Sequence, residues 1–94
     1  MSENKQERDI FRAAIKKWGK EAQTKMVLEE MSELQKEICK NWRGRNNEEN
    51  IAEEIADVEI VLEQLKIVFG VTGKVHEYRI RKMKRLKERL SVDG

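Results

Sequence analysis

Residues 20–69 read KEAQTKMVLEEMSELQKEICKNWRGRNNEENIAEEIADVEIVLEQLKIVF, and two features of this stretch decide the fold. The first is its period. Met26, Val27, Met31, Leu34 and Ile38 recur at helical spacing, and Ile51, Ile55, Val58, Val61, Leu62 and Leu65 do the same. Each set therefore lies along one side of an α-helix. The second feature is the interruption. The polar run Arg43-Gly44-Arg45-Asn46-Asn47 has the composition of a loop, so one helix spans roughly Lys20 to Asn41. The next begins near Glu48, where Glu48 and Glu49 fill the first turn as the helix dipole prefers, and ends near Phe69. Helices joined by so short a loop pack antiparallel, as a hairpin.

Outward from the hairpin the pattern stays helical. Ile10, Phe11, Ala14, Ile15 and Trp18 share a face over roughly Glu3 to Trp18, and Gly19 is a plausible break. Gly70 suits a helix C-terminus, Thr72 can cap the following helix, and a weaker apolar face (Val75, Tyr78, Met83, Leu86 and Leu90) marks a fourth helix over roughly Gly73 to Leu90. The chain has no proline and only five glycines, too little punctuation for strands and tight turns. The expectation is all-α: a single domain over residues 1–94, an antiparallel bundle of about four helices. A chain of 94 residues with 40% charged residues buries a limited core, so the bundle is expected to be completed by oligomerisation.

Composition also narrows location and partners. Cys39 has no second cysteine to bond with, which suits a reducing cytoplasm. No apolar run approaches the roughly 20 residues that span a bilayer, and the N-terminus lacks an apolar signal core. The net charge of +2 conceals an acidic centre and a basic end. Glutamates and aspartate crowd residues 28–63, whereas Lys74, Arg79, Arg81, Lys82, Lys84, Arg85, Lys87 and Arg89 crowd the last helix.

The acids are placed unusually. Glu30 and Glu33 are spaced i, i+3, as are Glu54 and Asp57, so each pair shares a helix face. Met31 and Leu34 flank the first pair, and Ile55 and Val58 flank the second. These acids thus lie beside the apolar stripes, whereas solvated acids usually lie opposite them. An antiparallel pairing can gather all four carboxylates. Poorly hydrated carboxylates so close together repel one another and favour partial protonation, and a divalent cation relieves that repulsion. Mg²⁺ takes hard oxygen ligands and keeps waters and substrate phosphates in its shell, so such a cluster suits a metal–polyphosphate complex. Exposed helical acids paired with lysines are the competing reading, and spacing alone leaves both open.

The pattern E-E-x-x-E followed by E-x-x-D, in LEEMSEL (28–34) and AEEIADV (52–58), resembles the signature of the MazG-like all-α nucleotide pyrophosphohydrolases. KKWGKEAQTKM (16–26) and KMKRLKERL (82–90) resemble the flanking segments of its short phage and bacterial members. The resemblance covers roughly residues 10 to 90. It implies Mg²⁺, or Mn²⁺, held by Glu30, Glu33, Glu54 and Asp57. It implies hydrolysis of (d)NTPs to the monophosphate and pyrophosphate by a homodimer or homotetramer. Glu29 matches the first glutamate of the motif and is either a further ligand or a water-orienting base. Lys82 and Arg85 are expected to reach the triphosphate, with Arg89 beside them, since arginine's planar fork matches phosphate oxygens. A phosphoribosyl-ATP hydrolase is the nearest enzymatic rival.

Other residues carry weaker signals. Gln23 matches a polar position of the family and is either a nucleotide contact or an exposed helical glutamine. Trp18 and Trp42 are expected in the core or an interface, with base stacking the alternative. His76 has no companion at ligand spacing, and Cys39 reads as a packing residue. No glycine-rich phosphate loop is present. The basic last helix on so small a net charge makes nucleic acid the less attractive partner. A non-catalytic helical adaptor that binds protein or nucleic acid is the alternative to the enzyme.

Overall fold

The computed structural model describes residues 5–93. They form four α-helices in chain order: α1 (Lys5–Trp18), α2 (Lys20–Trp42), α3 (Glu48–Phe69) and α4 (Thr72–Asp93). Among the described residues there is no strand. The boundaries agree with the sequence pattern, although Glu3 and Asn4, expected to open the first helix, lie outside the described residues.

Backbone chemistry sets the helix ends. Gly44 has φ +100° and Gly70 has φ +65°, backbone that a Cβ disfavours. At the end of α2, the Gly44 N–H donates to Asn41 O and the Arg45 N–H to Lys40 O. At the end of α3, the Gly70 N–H donates to Ile67 O and the Val71 N–H to Lys66 O. Both ends use a Schellman-type closure to satisfy carbonyls that the helix itself leaves unpaired. Thr72 was expected to precede α4 as its cap. It is instead the first helical residue, and the Val75 N–H reaches back to Val71 O.

The hairpin of α2 and α3 is the heart of the molecule. Helix α1 packs on both its helices, whereas α4 meets only α3. The seam of the hairpin takes in only part of the apolar stripe of the sequence. On α2 the side chains turned inward are Gln23, Val27, Glu30, Leu34 and Glu37, while Met26, Met31 and Ile38 stay exposed. On α3 they include Ile51, Glu54, Asp57, Val58, Val61 and Gln64, while Ile55 and Leu62 stay exposed. The apolar stripe is wider than one partner helix can cover. The hairpin therefore centres on one side of it and leaves the other side open. As a result three of the four acids expected beside the apolar stripe, Glu30, Glu54 and Asp57, are set into the seam, whereas Glu33 stays exposed.

Val27 and Val61 are the only buried hydrophobic residues among those described. The radius of gyration is 16.3 Å, against about 12 Å for a compact chain of this length. The single chain is thus an open arrangement, with long apolar faces uncovered. Several expectations change accordingly. Trp18 and Trp42 are exposed, Trp42 at 87%, and Lys17 lies over the Trp18 ring at 5.2 Å. Cys39 is exposed and not a packing residue. No helix of the described residues is long and apolar enough to cross a membrane.

Candidate metal centre

The seam repeats every seven residues, two turns of a 3.6-residue helix. Gln23, Glu30 and Glu37 recur at that interval on α2, and Asn47, just before α3, stands the same interval ahead of Glu54. Asp57 stands one turn beyond Glu54, on the same side. Antiparallel packing brings these polar positions face to face.

Glu30, Glu54 and Asp57 meet at the middle of the seam. One carboxylate oxygen from each lies within 4.8 Å of the others, and all three residues are half-buried. In an octahedral Mg²⁺ shell with ligands at about 2.1 Å, two ligand atoms stand at most about 4.2 Å apart. Cis ligand atoms of such a shell stand about 3.0 Å apart, so the three carboxylates are close enough to converge on one cation by side-chain adjustment.

Its electrostatics point the same way. Burial, and then the charges of Asp57, Glu30, Glu33 and Glu53, push the Glu54 carboxyl above the usual carboxylate range. Glu54 Oε1 is buried and has no hydrogen-bond partner. Among the described residues no lysine or arginine pairs with Glu30, Glu54 or Asp57. A buried acceptor without a donor is costly, and a cation supplies what the protein withholds.

The other expected site residues fall outside this triad. Glu33 is near enough to act on Glu54 through its charge, yet its carboxylate is exposed and lies 3.6 Å from the Lys36 ammonium. Glu29 is exposed on the outer side of α2. Lys82 and Arg85 are exposed on α4, a helix that packs against neither α1 nor α2. Gln23 is not an exposed glutamine. At 2% exposure it is the most enclosed side chain described, and its Oε1 has no partner. Gln64, which the sequence pattern did not single out, is likewise buried with an unpartnered Oε1.

A second polar group lies at the loop end of the seam. Asn47 Nδ2 donates to Glu37 Oε1 at 2.7 Å and to the Glu37 carbonyl at 2.9 Å. Asn41 Nδ2 donates to Asn47 Oδ1 at 3.2 Å, and Lys40 Nζ donates to Glu37 Oε2 at 3.2 Å. The hydrogen bond from Asn47, then that from Lys40, hold the Glu37 carboxyl below the usual range despite burial. Sequence reasoning passed over both residues, because a glutamate on a helix and an asparagine in a polar loop are individually unremarkable.

No family model matches the sequence, and no curated protein or solved structure matches it significantly.

Proposed function

We propose that this chain is a divalent-metal-dependent hydrolase of nucleoside triphosphates, releasing the monophosphate and pyrophosphate. The observation that carries the reading is the seam triad: three converging carboxylates, half-buried, without a basic partner, with Glu54 Oε1 unsatisfied. The resemblance of LEEMSEL and AEEIADV to the MazG-like motifs supplies the reaction class.

Glu30, Glu54 and Asp57 would hold Mg²⁺ or Mn²⁺, and Glu33, whose charge is felt at Glu54, would join them only on leaving Lys36. A bound divalent ion neutralises phosphate oxygens and lowers the pKa of a coordinated water. The residues have their own work. Burial and the neighbouring carboxylates make ionised Glu54 harder to sustain without a cation beside it. A carboxylate not fully committed to the metal, Glu33 or Glu29, can accept the proton of the attacking water. Lys82 and Arg85 supply positive charge for the polyphosphate, and they do so from a second copy of the chain.

That second copy has physical support. The chain exposes 7923 Å², where a folded monomer of this mass exposes about 5,700 Å². The difference, roughly 2,000 Å² per chain, is in the class of obligate interfaces. Met31, Ile38, Ile55 and Leu62 form an apolar side of the hairpin ready to pair with a like side. These features support a homodimer, or a tetramer of two such pairs, as part of this reading.

The test is direct. The purified protein is incubated with a panel of NTPs, dNTPs and modified triphosphates in Mg²⁺ or EDTA, and products are resolved by ion-exchange chromatography. The reading requires monophosphate plus pyrophosphate, with metal only. The lone basic helix α4 favours one other reading, an adaptor that uses this helix to grip an acidic partner. An adaptor of that kind would turn over nothing in the panel, and its melting temperature would not respond to Mg²⁺ and nucleotide.

A further inference from the structure

The cation reading leaves open what holds the three carboxylates in one place. Glu30 and Glu54 are on different helices, so their meeting depends on the register of α2 against α3. The buried valines do not fix that register. Apolar contact is non-directional, and Val27 and Val61 are the only buried hydrophobic side chains among the described residues, too few to pin it. A slip of one helical turn moves one helix about 5.4 Å along the other. That is more than a Mg²⁺ shell spans, so the triad would open.

Hydrogen bonds are directional, and the seam has one directional lock across its helices. Glu37 is on α2 and Asn47 adjoins the first residue of α3. Both are buried. Asn47 stands where a helix N-cap would be, yet its side chain makes no cap hydrogen bond to α3. Both of its polar atoms are turned to α2: Nδ2 to the Glu37 carboxylate and carbonyl, Oδ1 to Asn41. Glu37 follows Glu30 by seven residues, and Asn47 precedes Glu54 by the same interval. The lock and the triad are therefore two turns apart on both helices, on the same face of each. Asn41 Nδ2 also donates to the Arg45 carbonyl, which ties the connecting loop to the same lock.

We propose that Glu37 and Asn47 are positioning residues, whose buried clasp fixes the register of α2 against α3 and so assembles Glu30, Glu54 and Asp57 into one cation site. The proposal rests on the cation reading above. It extends to this hairpin a known use of buried polar groups, the specification of register among near-equivalent apolar packings.

The probe is Mn²⁺ alone, its affinity for the full chain measured by calorimetric titration beside thermal melts of each variant. Asn47→Ala is expected to weaken Mn²⁺ binding by about tenfold or more, in the range seen when groups that orient metal ligands are lost. Asn47→Asp sets two carboxylates against each other and is expected to weaken it further. Adding Glu37→Gln to Asn47→Asp reverses donor and acceptor and is expected to recover a large part of the affinity. Phe11→Ala, on α1 and away from the clasp, should lower the melting temperature without moving Mn²⁺ affinity. A helical Asn47→Ala variant with wild-type Mn²⁺ affinity would overturn the clasp's role alone. Wild-type protein that binds no Mn²⁺ would overturn the cation reading and this proposal together.

Discussion

The two carboxylate groups of the α2–α3 seam sit two helical turns apart and behave in opposite ways. At the loop end, Glu37 is surrounded by donors from Asn47 and Lys40, and its carboxyl is held below the ordinary range. At the centre, Glu54 faces Asp57, Glu30 and Glu33, has a buried oxygen with no donor, and is pushed above that range. The residue type is the same, and the better-satisfied Glu37 is the more buried of the two. What differs is whether the protein supplies the compensating groups. Where it does, a buried acid becomes a structural lock. Where it does not, the acid keeps a raised pKa and a buried acceptor without a donor. The contrast separates the end of the seam whose acid is satisfied by the protein from the centre, where the proposed cation site lies.

The largest effect should come from the centre. Glu54→Gln or Asp57→Asn is expected to reduce triphosphate turnover by more than about a hundredfold while circular dichroism keeps its helical signal, because a ligand is lost and no packing is. Full activity in either variant would remove the triad from the chemistry. Next in size is the response to pH. A proton on Glu54 competes with the metal, so Mg²⁺ affinity should fall as pH drops toward the raised Glu54 pKa, and in a calorimetric series binding should release protons.

Without metal the two ends of the seam should show opposite signs. The raised Glu54 pKa means that the folded state holds its proton more tightly than the unfolded chain does. Its contribution to metal-free stability is therefore present at acid pH, and is lost as pH rises through the folded-state value. Glu54→Gln removes that loss and is expected to raise the metal-free melting temperature at neutral pH by a few degrees. The lowered Glu37 pKa works the other way. Its contribution is present above the unfolded value and is lost as pH falls through the folded one, so Asn47→Ala should flatten the acid side of a plot of melting temperature against pH. The smallest effect belongs to the outer surface. Lys25 and Glu21 form an exposed pair at 3.6 Å, and Lys25→Ala should leave both melting temperature and turnover unchanged.

Much of this was legible in the sequence. The spacing of apolar residues located α2 and α3 to within a residue, and the glycines at 44 and 70 marked turns because few other residues tolerate their backbone. The i, i+3 pairs located Glu30, Glu54 and Asp57, since helical geometry alone places such residues together on a face. The rotation of the hairpin was not legible. Met31 and Ile38 are as apolar as Val27 and Leu34, and only the packing of two particular helices chose which side turned inward. The same choice enclosed Gln23 and Gln64, left Glu33 with Lys36, and exposed Cys39. Asn47 looked like loop composition because its role depends on a partner ten residues away on another helix. The exposure of Trp18 and Trp42 removes the core half of what was expected of them and leaves the interface half open.

The central claim, that the middle of the seam is built for a cation, is tested most directly by titrating Mn²⁺ into the wild-type protein and into Glu54→Gln at neutral pH. The account predicts saturable binding in the wild type and none in Glu54→Gln, although that variant melts no lower without metal. Equal binding by the two proteins, or none by the wild type, would contradict it.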